Sequence, residues 1–349
     1  MRFFAVFLIL ALTEAPMATS LNYTQHYTES QTDRLNLCLI HVEPDSSNNE
    51  TKHRDRAPVL FIHGATFPTM LASGFEMGGT SWLKYLSSEG FDVWALDFLG
   101  YGCSDRYPEM QTSSAHGEQL GKAPSAAADI EAAVAYIQNH TAAKRVSLVS
   151  HSRGGIVAGL YASQYPENIE KLVFFAPLIE RQNSLTDSVV RFFNIGRPDK
   201  VAYRDLDVSE RLASFENDVP QGKSSVLASE MATAWPRLWL ASDGSYEGAL
   251  QPQPATGSVR APAGYEDDFY NSWTGHGYVD FSKILSPTLI IRGSWDSITA
   301  AKDTAHMMKR LTATPFKKLV TIADATHVAH LEQGRFQLYS ATADFLKKH

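Results

Sequence analysis

The amino-acid sequence predicts an α/β fold: a mostly parallel, doubly wound sheet with an N-terminal antiparallel hairpin and an inserted, mainly helical cap. Three observations carry this. Short continuous apolar runs alternate with helix-period segments between residues 59 and 175 and again from 287 onward, the pattern of strands buried on both faces. Ahead of the first run stand two segments of apolar–polar alternation, as a half-exposed hairpin requires. Residues 181–283 break the series, which makes them an insertion rather than part of the sheet. With 349 residues, 44% of them apolar, the chain has the material for a core of this kind.

In chain order, residues 21–27 and 35–42 form the hairpin across the polar stretch 28–34, and 45–56 is a charged loop. Val59–Ile62 is the first buried strand. A helix near 81–88, a strand at 91–96, a helix near 126–139, a strand at 146–149, a helix over 153–164 and a strand at 172–175 follow. The series resumes with a strand at 287–291, a helix at 300–311, a strand at 319–322 and a helix at 331–347. The insertion carries Trp235, Trp239 and Trp273 and leaves and rejoins the chain beside strands of the sheet. Ligands of open α/β sheets bind outside the carboxyl ends of the strands, so the insertion is expected to overhang that edge. The domain plan is a leader at 1–20, a core of residues 21–180 and 284–349, and a cap of residues 181–283.

Residues 3–12 form an apolar run behind Arg2, followed by small and polar residues up to Ser20, the shape of a secretory signal peptide and too short to span a bilayer. The alternative is an extra strand or an irregular extension. A signal implies a secreted or periplasmic protein; without one the chain is cytoplasmic. Asn22, Asn49 and Asn139 each open an Asn-x-Thr triplet. The formal net charge of −7, with no cluster of Lys and Arg, offers no field for a nucleic acid. Cys38 and Cys103 are the only cysteines, too few for a thiolate-built metal cage. Each is expected to be a small buried side chain rather than a disulfide partner. The sequence leaves the oligomeric state open.

The segment Ser150-His151-Ser152-Arg153-Gly154-Gly155 joins a strand to a helix. A nucleophile elbow belongs at such a joint, because its central residue takes strained backbone angles and needs small neighbours two positions to either side. Gly154 meets that need on one side, and Ser150 stands where the common Gly-x-Ser-x-Gly pattern has its first glycine. A plain glycine-rich joint or a phosphate-binding turn reads alike in isolation. The partners downstream separate them: a serine hydroxyl needs a base to take its proton, and the base needs a third group to orient it. Asp296 follows the strand at 287–291 and His327 the strand at 319–322, in the order serine, acid, histidine. Glu180 is the alternative acid, and Asp324 is a turn residue. His330 makes a His-x-x-His pair with His327 but lacks a third zinc ligand. His151 is expected to point away from the site. The amide of Arg153 is one expected donor to the oxyanion of a tetrahedral intermediate, and the amide of Ala65, in His63-Gly64-Ala65-Thr66, the other. His63 itself is read as a loop-packing residue.

Residues 59–64, the stretch Asp97-Phe98-Leu99-Gly100-Tyr101-Gly102-Cys103-Ser104, the Ser152 elbow and the Asp296 and His327 loops together resemble the α/β-hydrolase superfamily over the whole chain from Leu21 except the cap. The resemblance implies Ser152 as nucleophile, His327 as base and Asp296 as acid. Capped relatives such as haloalkane dehalogenases and epoxide hydrolases use an aspartate at the elbow, so Ser152 points to acyl transfer instead. The expected reaction is hydrolysis of a small-molecule carboxylic ester or lactone through an acyl-Ser152 intermediate, with no cofactor and no metal. An acyltransferase, a carbon–carbon bond hydrolase or a cofactor-free perhydrolase could use the same triad, and a non-catalytic receptor the same scaffold. Trp235, Trp239 and Trp273 are expected to line the substrate pocket or else to form the cap's own core.

Overall fold

The structure, a computed structural model, describes residues 23–32, 34–44, 56–113, 115–181, 189, 195–243 and 257–348. The signal-like segment 1–20 and the triplets at Asn22 and Asn49 lie outside the described residues, while Asn139 is exposed on a helix.

Ten strands run in chain order as β1 (Thr24–Glu29), β2 (Asn36–Val42), β3 (Val59–Ile62), β4 (Val93–Asp97), β5 (Val146–His151), β6 (Ile169–Phe175), β7 (Tyr203–Asp207), β8 (Ser258–Pro262), β9 (Thr288–Gly293) and β10 (Lys317–Ile322) among the described residues. Eight of them make one sheet in the order β1-β2-β4-β3-β5-β6-β9-β10. The β1–β2 and β2–β4 pairs are antiparallel, with Thr24 opposite His41 and Cys38 opposite Asp97; every other pair in this sheet is parallel. Among the described residues the helices are α1 (Trp82–Ser88), α2 (Ala123–Thr141), α3 (Gly154–Gln164), α4 (Val208–Ser214), α5 (Glu230–Thr233), α6 (Trp235–Ala241), α7 (Gly264–Trp273), α8 (Ala301–Arg310) and α9 (Phe336–Lys347).

Successive side chains of a strand point to opposite faces, and here both faces are covered. Leu60 and Ile62 of β3 pack with α2 and α3, whereas Val59 and Phe61 pack with α1 and α9. Along β6, Phe174 joins the first group and Val173 and Phe175 the second. That double burial is why these strands read as unbroken apolar runs. Local signals fix the helix starts. The Ser81 hydroxyl caps α1 by accepting the Lys84 N–H at 3.2 Å. Helix α2 begins three residues before the expected start, because Pro124 in its first turn is pre-organised for a helix. Helix α9 begins later than expected, after a 3-10 turn at Ala329–Leu331.

One expectation is extended and one is corrected. The mainly helical insertion also holds a strand pair: β7 and β8 pair antiparallel, Tyr203 opposite Pro262, across a separation in sequence that hides such a pairing. Cys38 and Cys103 are disulfide-bonded, with Cα atoms 5.5 Å apart, rather than two separate thiols. Direct pairing of β2 with β4 sets Cys38 opposite Asp97, and the loop after β4 turns Cys103 back onto Asp97, whose carboxylate accepts the Cys103 N–H at 3.1 Å. No helix among the described residues is long and apolar enough to cross a membrane.

Candidate active site

The loops after β5, β9 and β10 leave the same edge of the sheet. Ser152, directly after β5, has φ of +53°, a left-handed conformation that a side-chain-bearing residue adopts only when its surroundings fix it. Three main-chain bonds do so: the Ser152 N–H donates to Phe175 O at 3.1 Å, and the Ser152 carbonyl accepts from Gly155 and Leu178, each at 2.9 Å. A Cβ on Gly154 would lie 2.6 Å from the His63 carbonyl oxygen, so the following helix could not approach β3 this closely with any other residue there. Ser150, in place of the usual first glycine, is buried and donates its hydroxyl to Val173 O at 3.2 Å.

The Ser152 hydroxyl donates to His327 Nε2 at 2.9 Å, and His327 Nδ1–H donates to the Asp296 carboxylate, 3.1 Å from each oxygen. A carboxylate only accepts, which places the histidine proton on Nδ1 and leaves Nε2 as the acceptor for the hydroxyl. The supporting loops are themselves tied down. Asp296 is buried and also accepts the Thr299 N–H at 2.8 Å, while Arg292 donates to the carbonyls of Asp296 and Thr299. Thr326, next to His327, donates its N–H and hydroxyl to the Glu332 carboxylate at 3.0 and 2.6 Å. The alternative acid, Glu180, is engaged elsewhere, at 2.6 Å from Arg310. Asp324 occupies a left-handed turn position with φ of +52°.

The amides of Ala65 and Arg153 have no acceptor among the described residues, and Ala65 lines the same cavity as Ser152. Arg153 precedes α3, where first-turn N–H groups lack intrahelical partners. The loop carrying Ala65 is held through its neighbours. His63 Nδ1–H donates to Gly64 O at 2.7 Å, its Nε2 accepts the Phe98 N–H at 3.2 Å, and Tyr101 packs edge-on against its ring. Burial pushes the His63 pKa down to about 4, so the ring is neutral in this packing role. Thr66 has φ of +80°, unusual for a β-branched residue, and its buried hydroxyl has no partner among the described residues.

A cavity of about 450 Å³ opens above Ser152 between this edge and the insertion. Trp273 lines it together with Tyr265 and Phe269, at helical positions i, i+4 and i+8 of α7. Trp235 and Trp239 do not line it, contrary to the first of the two expectations. Both are wholly buried, and their indole N–H groups donate to Leu71 O at 2.8 Å and Thr66 O at 3.2 Å. An indole N–H removed from water needs an acceptor, and the nearest ones are on the loop that bears Ala65. These tryptophans therefore brace that loop from the insertion side. His151 is the second correction. It does not point away: its Nε2–H donates to His327 O at 3.1 Å and its ring stacks on Phe175. Beneath it, 4.4 Å between centroids, lies His330, fully buried and with neither nitrogen hydrogen-bonded among the described residues. Among the described residues no group of three or more His, Cys, Asp or Glu is placed to hold a metal ion.

Sequence reasoning missed the link between the elbow and the insertion. Arg153 Nε donates to Asp268 of α7 at 2.7 Å, both side chains being buried, and its guanidinium also reaches Gly121 O. Asp268 in turn accepts the Ala123 N–H at 2.9 Å. The signal was available only as an arginine beside the elbow serine, with nothing in the sequence to name its carboxylate.

With this geometry in hand, comparisons with known proteins agree on a fold. The family model described as alpha/beta hydrolase fold matches residues 57–333. The chain is similar to the lysosomal acid lipase/cholesteryl ester hydrolase of Homo sapiens, 25% identical over 154 residues, which is 44% of this chain and 38% of that protein; the Macaca fascicularis counterpart matches equally. The match thus spans well under half the length of these curated relatives. Among solved structures, the bromoperoxidase from Bacillus anthracis superposes with a TM-score of 0.60 at 17% identity, covering 93% of this chain and 100% of that one. Est1E from Butyrivibrio proteoclasticus, solved with ferulic acid, gives 0.56 at 17% identity over 93% and 98%. At these identities the structural likeness is one of fold.

Proposed function

The chain belongs to the alpha/beta hydrolase family, and from that premise we propose that it is a serine hydrolase that cleaves a carboxylic ester or lactone through an acyl-Ser152 intermediate. The observation that carries the reading is the unbroken line of hydrogen bonds from the Ser152 hydroxyl through His327 to Asp296. In the reaction, His327 Nε2 takes the proton of Ser152 Oγ as that oxygen attacks the ester carbonyl. The negative oxygen so formed is received by the Ala65 and Arg153 amides, and preorganised donors of this type are worth about a hundredfold to a thousandfold each in rate. Asp296 keeps the histidine in the productive tautomer and stabilises the imidazolium. His327 then returns the proton to the departing alcohol, and a water it deprotonates releases the acid from Ser152. The names of the curated relatives, a lipase and cholesteryl ester hydrolase, support an ester as the bond broken.

In this reading residues 181–283 act as a cap that shapes the substrate cavity without supplying the triad. The Cys38–Cys103 bond supports export to an oxidising compartment, where disulfides persist. The reaction is tested by kinetics on an ester panel. Ser152→Ala, His327→Ala and Asp296→Asn are each expected to lower kcat by roughly 10³-fold or more, with the Ser152→Ala/His327→Ala double variant little worse than either single one, because the groups act as a unit. If Ser152→Ala keeps most of the activity, the assignment fails.

A further inference from the structure

The cavity above Ser152 has one arginine on its wall among the described residues, and the proposed reaction does not use it. Arg211, on α4, lines the cavity, and its Nε is buried with no hydrogen-bond partner among the described residues. Several other arginines have a carboxylate at hand: Arg106, Arg153, Arg181, Arg204, Arg260 and Arg310 each stand between 2.6 and 3.9 Å from one, while Arg292 and Arg335 donate to main-chain carbonyls. Arg211 makes no ion pair among the described residues. Its guanidinium carbon lies 5.8 Å and 5.3 Å from the ring centroids of Phe67 and Phe215. Burial draws its pKa down, yet a guanidinium does not give up its proton in a protein. A half-buried cation thus stands on the cavity wall with no carboxylate beside it among the described residues, its charge free to meet an anion that enters.

Three carboxylates share the cavity wall, and each is otherwise engaged or faces water. Asp207 caps α4 by accepting the Glu210 N–H at 2.9 Å, Asp218 accepts the hydroxyl and N–H of Ser297, and Glu210 is exposed. Their repulsion of an incoming anion acts at a distance and is screened by salt, whereas Arg211 is free to meet the anion in direct hydrogen bonds.

The geometry points to a substrate that is itself anionic: an ester carrying a carboxylate on its non-reacting end, held by the Arg211 guanidinium fork while the body of the molecule lies against the aromatic wall. This rests on the proposed hydrolase reading, since it concerns the same cavity. A planar guanidinium pairs with a carboxylate through two parallel hydrogen bonds, which fixes orientation as well as affinity. Tyr265, on the pocket-facing side of α7, lines the same cavity.

The test uses two matched pairs of activated esters, each an anionic compound and its neutral carboxamide analogue, with the charge in the acyl part in one pair and in the leaving group in the other. The expected result is that the wild type favours the anionic member of one pair, and that Arg211→Met lowers this anionic-over-neutral ratio of kcat/KM by about tenfold or more, the equivalent of one 1.4 kcal/mol interaction. Arg211→Lys restores part of the ratio. A ratio unchanged by Arg211→Met in both pairs overturns the inference. Should Arg211→Met fail to fold, competition on the wild type decides: benzoate is expected to inhibit at lower concentration than benzamide, and equal inhibition overturns the inference. Labelling of wild-type Ser152 by a small fluorophosphonate keeps the two proposals apart. Labelling with no charge preference removes only the anionic substrate, whereas no labelling removes the hydrolase.

Discussion

The backbone of Ser152, held at φ of +53° by three main-chain hydrogen bonds, shows how the candidate site rests on residues that do no chemistry themselves. His151 and His330 lie beneath it and His63 beside it, all three buried, with pKa values pushed down by that burial: His63 to about 4, His330 to about 3, and His151 well below the ordinary value. The unfolded chain binds protons at an ordinary histidine pKa, about 6.5, while the folded chain refuses them until far lower pH. Unfolding therefore takes up protons in this window, and stability falls as pH drops from 6.5 toward 4 and below, by up to about 1.4 kcal/mol per pH unit for each histidine. Asp97 and Asp129, whose buried carboxyls are raised to about 6 and about 7, contribute with the opposite sign, losing stability as pH rises through that range. The difference between variants isolates the histidine. His330→Leu, which removes two unpartnered nitrogens, is expected to flatten the acid-side fall by close to one proton in urea unfolding at pH 7, 6 and 5. An unchanged slope would mean that His330 is not held neutral.

Helix α7 joins the insertion to the core through two adjacent stripes. Gly264, Asp268 and Ser272 are buried against the core, and Tyr265, Phe269 and Trp273, one position on, line the cavity. Asp268 is the anchor, through Arg153 and the start of α2. Breaking a buried pair strands a charge, so Asp268→Ala is expected to cost about 3 kcal/mol or more, while the Arg153→Met/Asp268→Leu double variant, with no charge left, costs less than the sum of the single changes. Additive losses in denaturant melts would show that the pair does not couple the two parts. The Asp268 anchor was not legible in the sequence, because a buried ion pair leaves no period or spacing. The sheet was legible because period and apolar continuity are local properties of each strand: Val59–Ile62 was delimited to the residue, and the elbow was placed by its strand-to-helix position together with the acid and histidine downstream. The β7–β8 pair escaped because Tyr203–Asp207 and Ser258–Pro262 are short, charged segments that acquire strand character only from each other.

At the scale of the whole molecule, chain order and sheet order together bring the site into being. The Ser152 loop meets the His327 loop across 175 residues of chain, and the Asp296 loop joins them, because β5, β9 and β10 run parallel and end on one edge. That convergence could be read from the sequence, since parallel strands deliver their following loops to the same side. The disulfide could not, because it depends on β2 lying next to β4 rather than β3. Nor could the division of labour among the insertion's tryptophans, two bracing the Ala65 loop and one facing the cavity, which depends on where each indole N–H finds its acceptor. The central claim is that Ser152 is the nucleophile activated by His327. Its most direct measurement is to react the protein with a fluorophosphonate, digest it and locate the adduct by mass spectrometry. The account predicts a single adduct on Ser152, formed far more slowly in His327→Ala and absent in Ser152→Ala. An adduct on a different serine, or labelling of Ser152 at the same rate without His327, would contradict it.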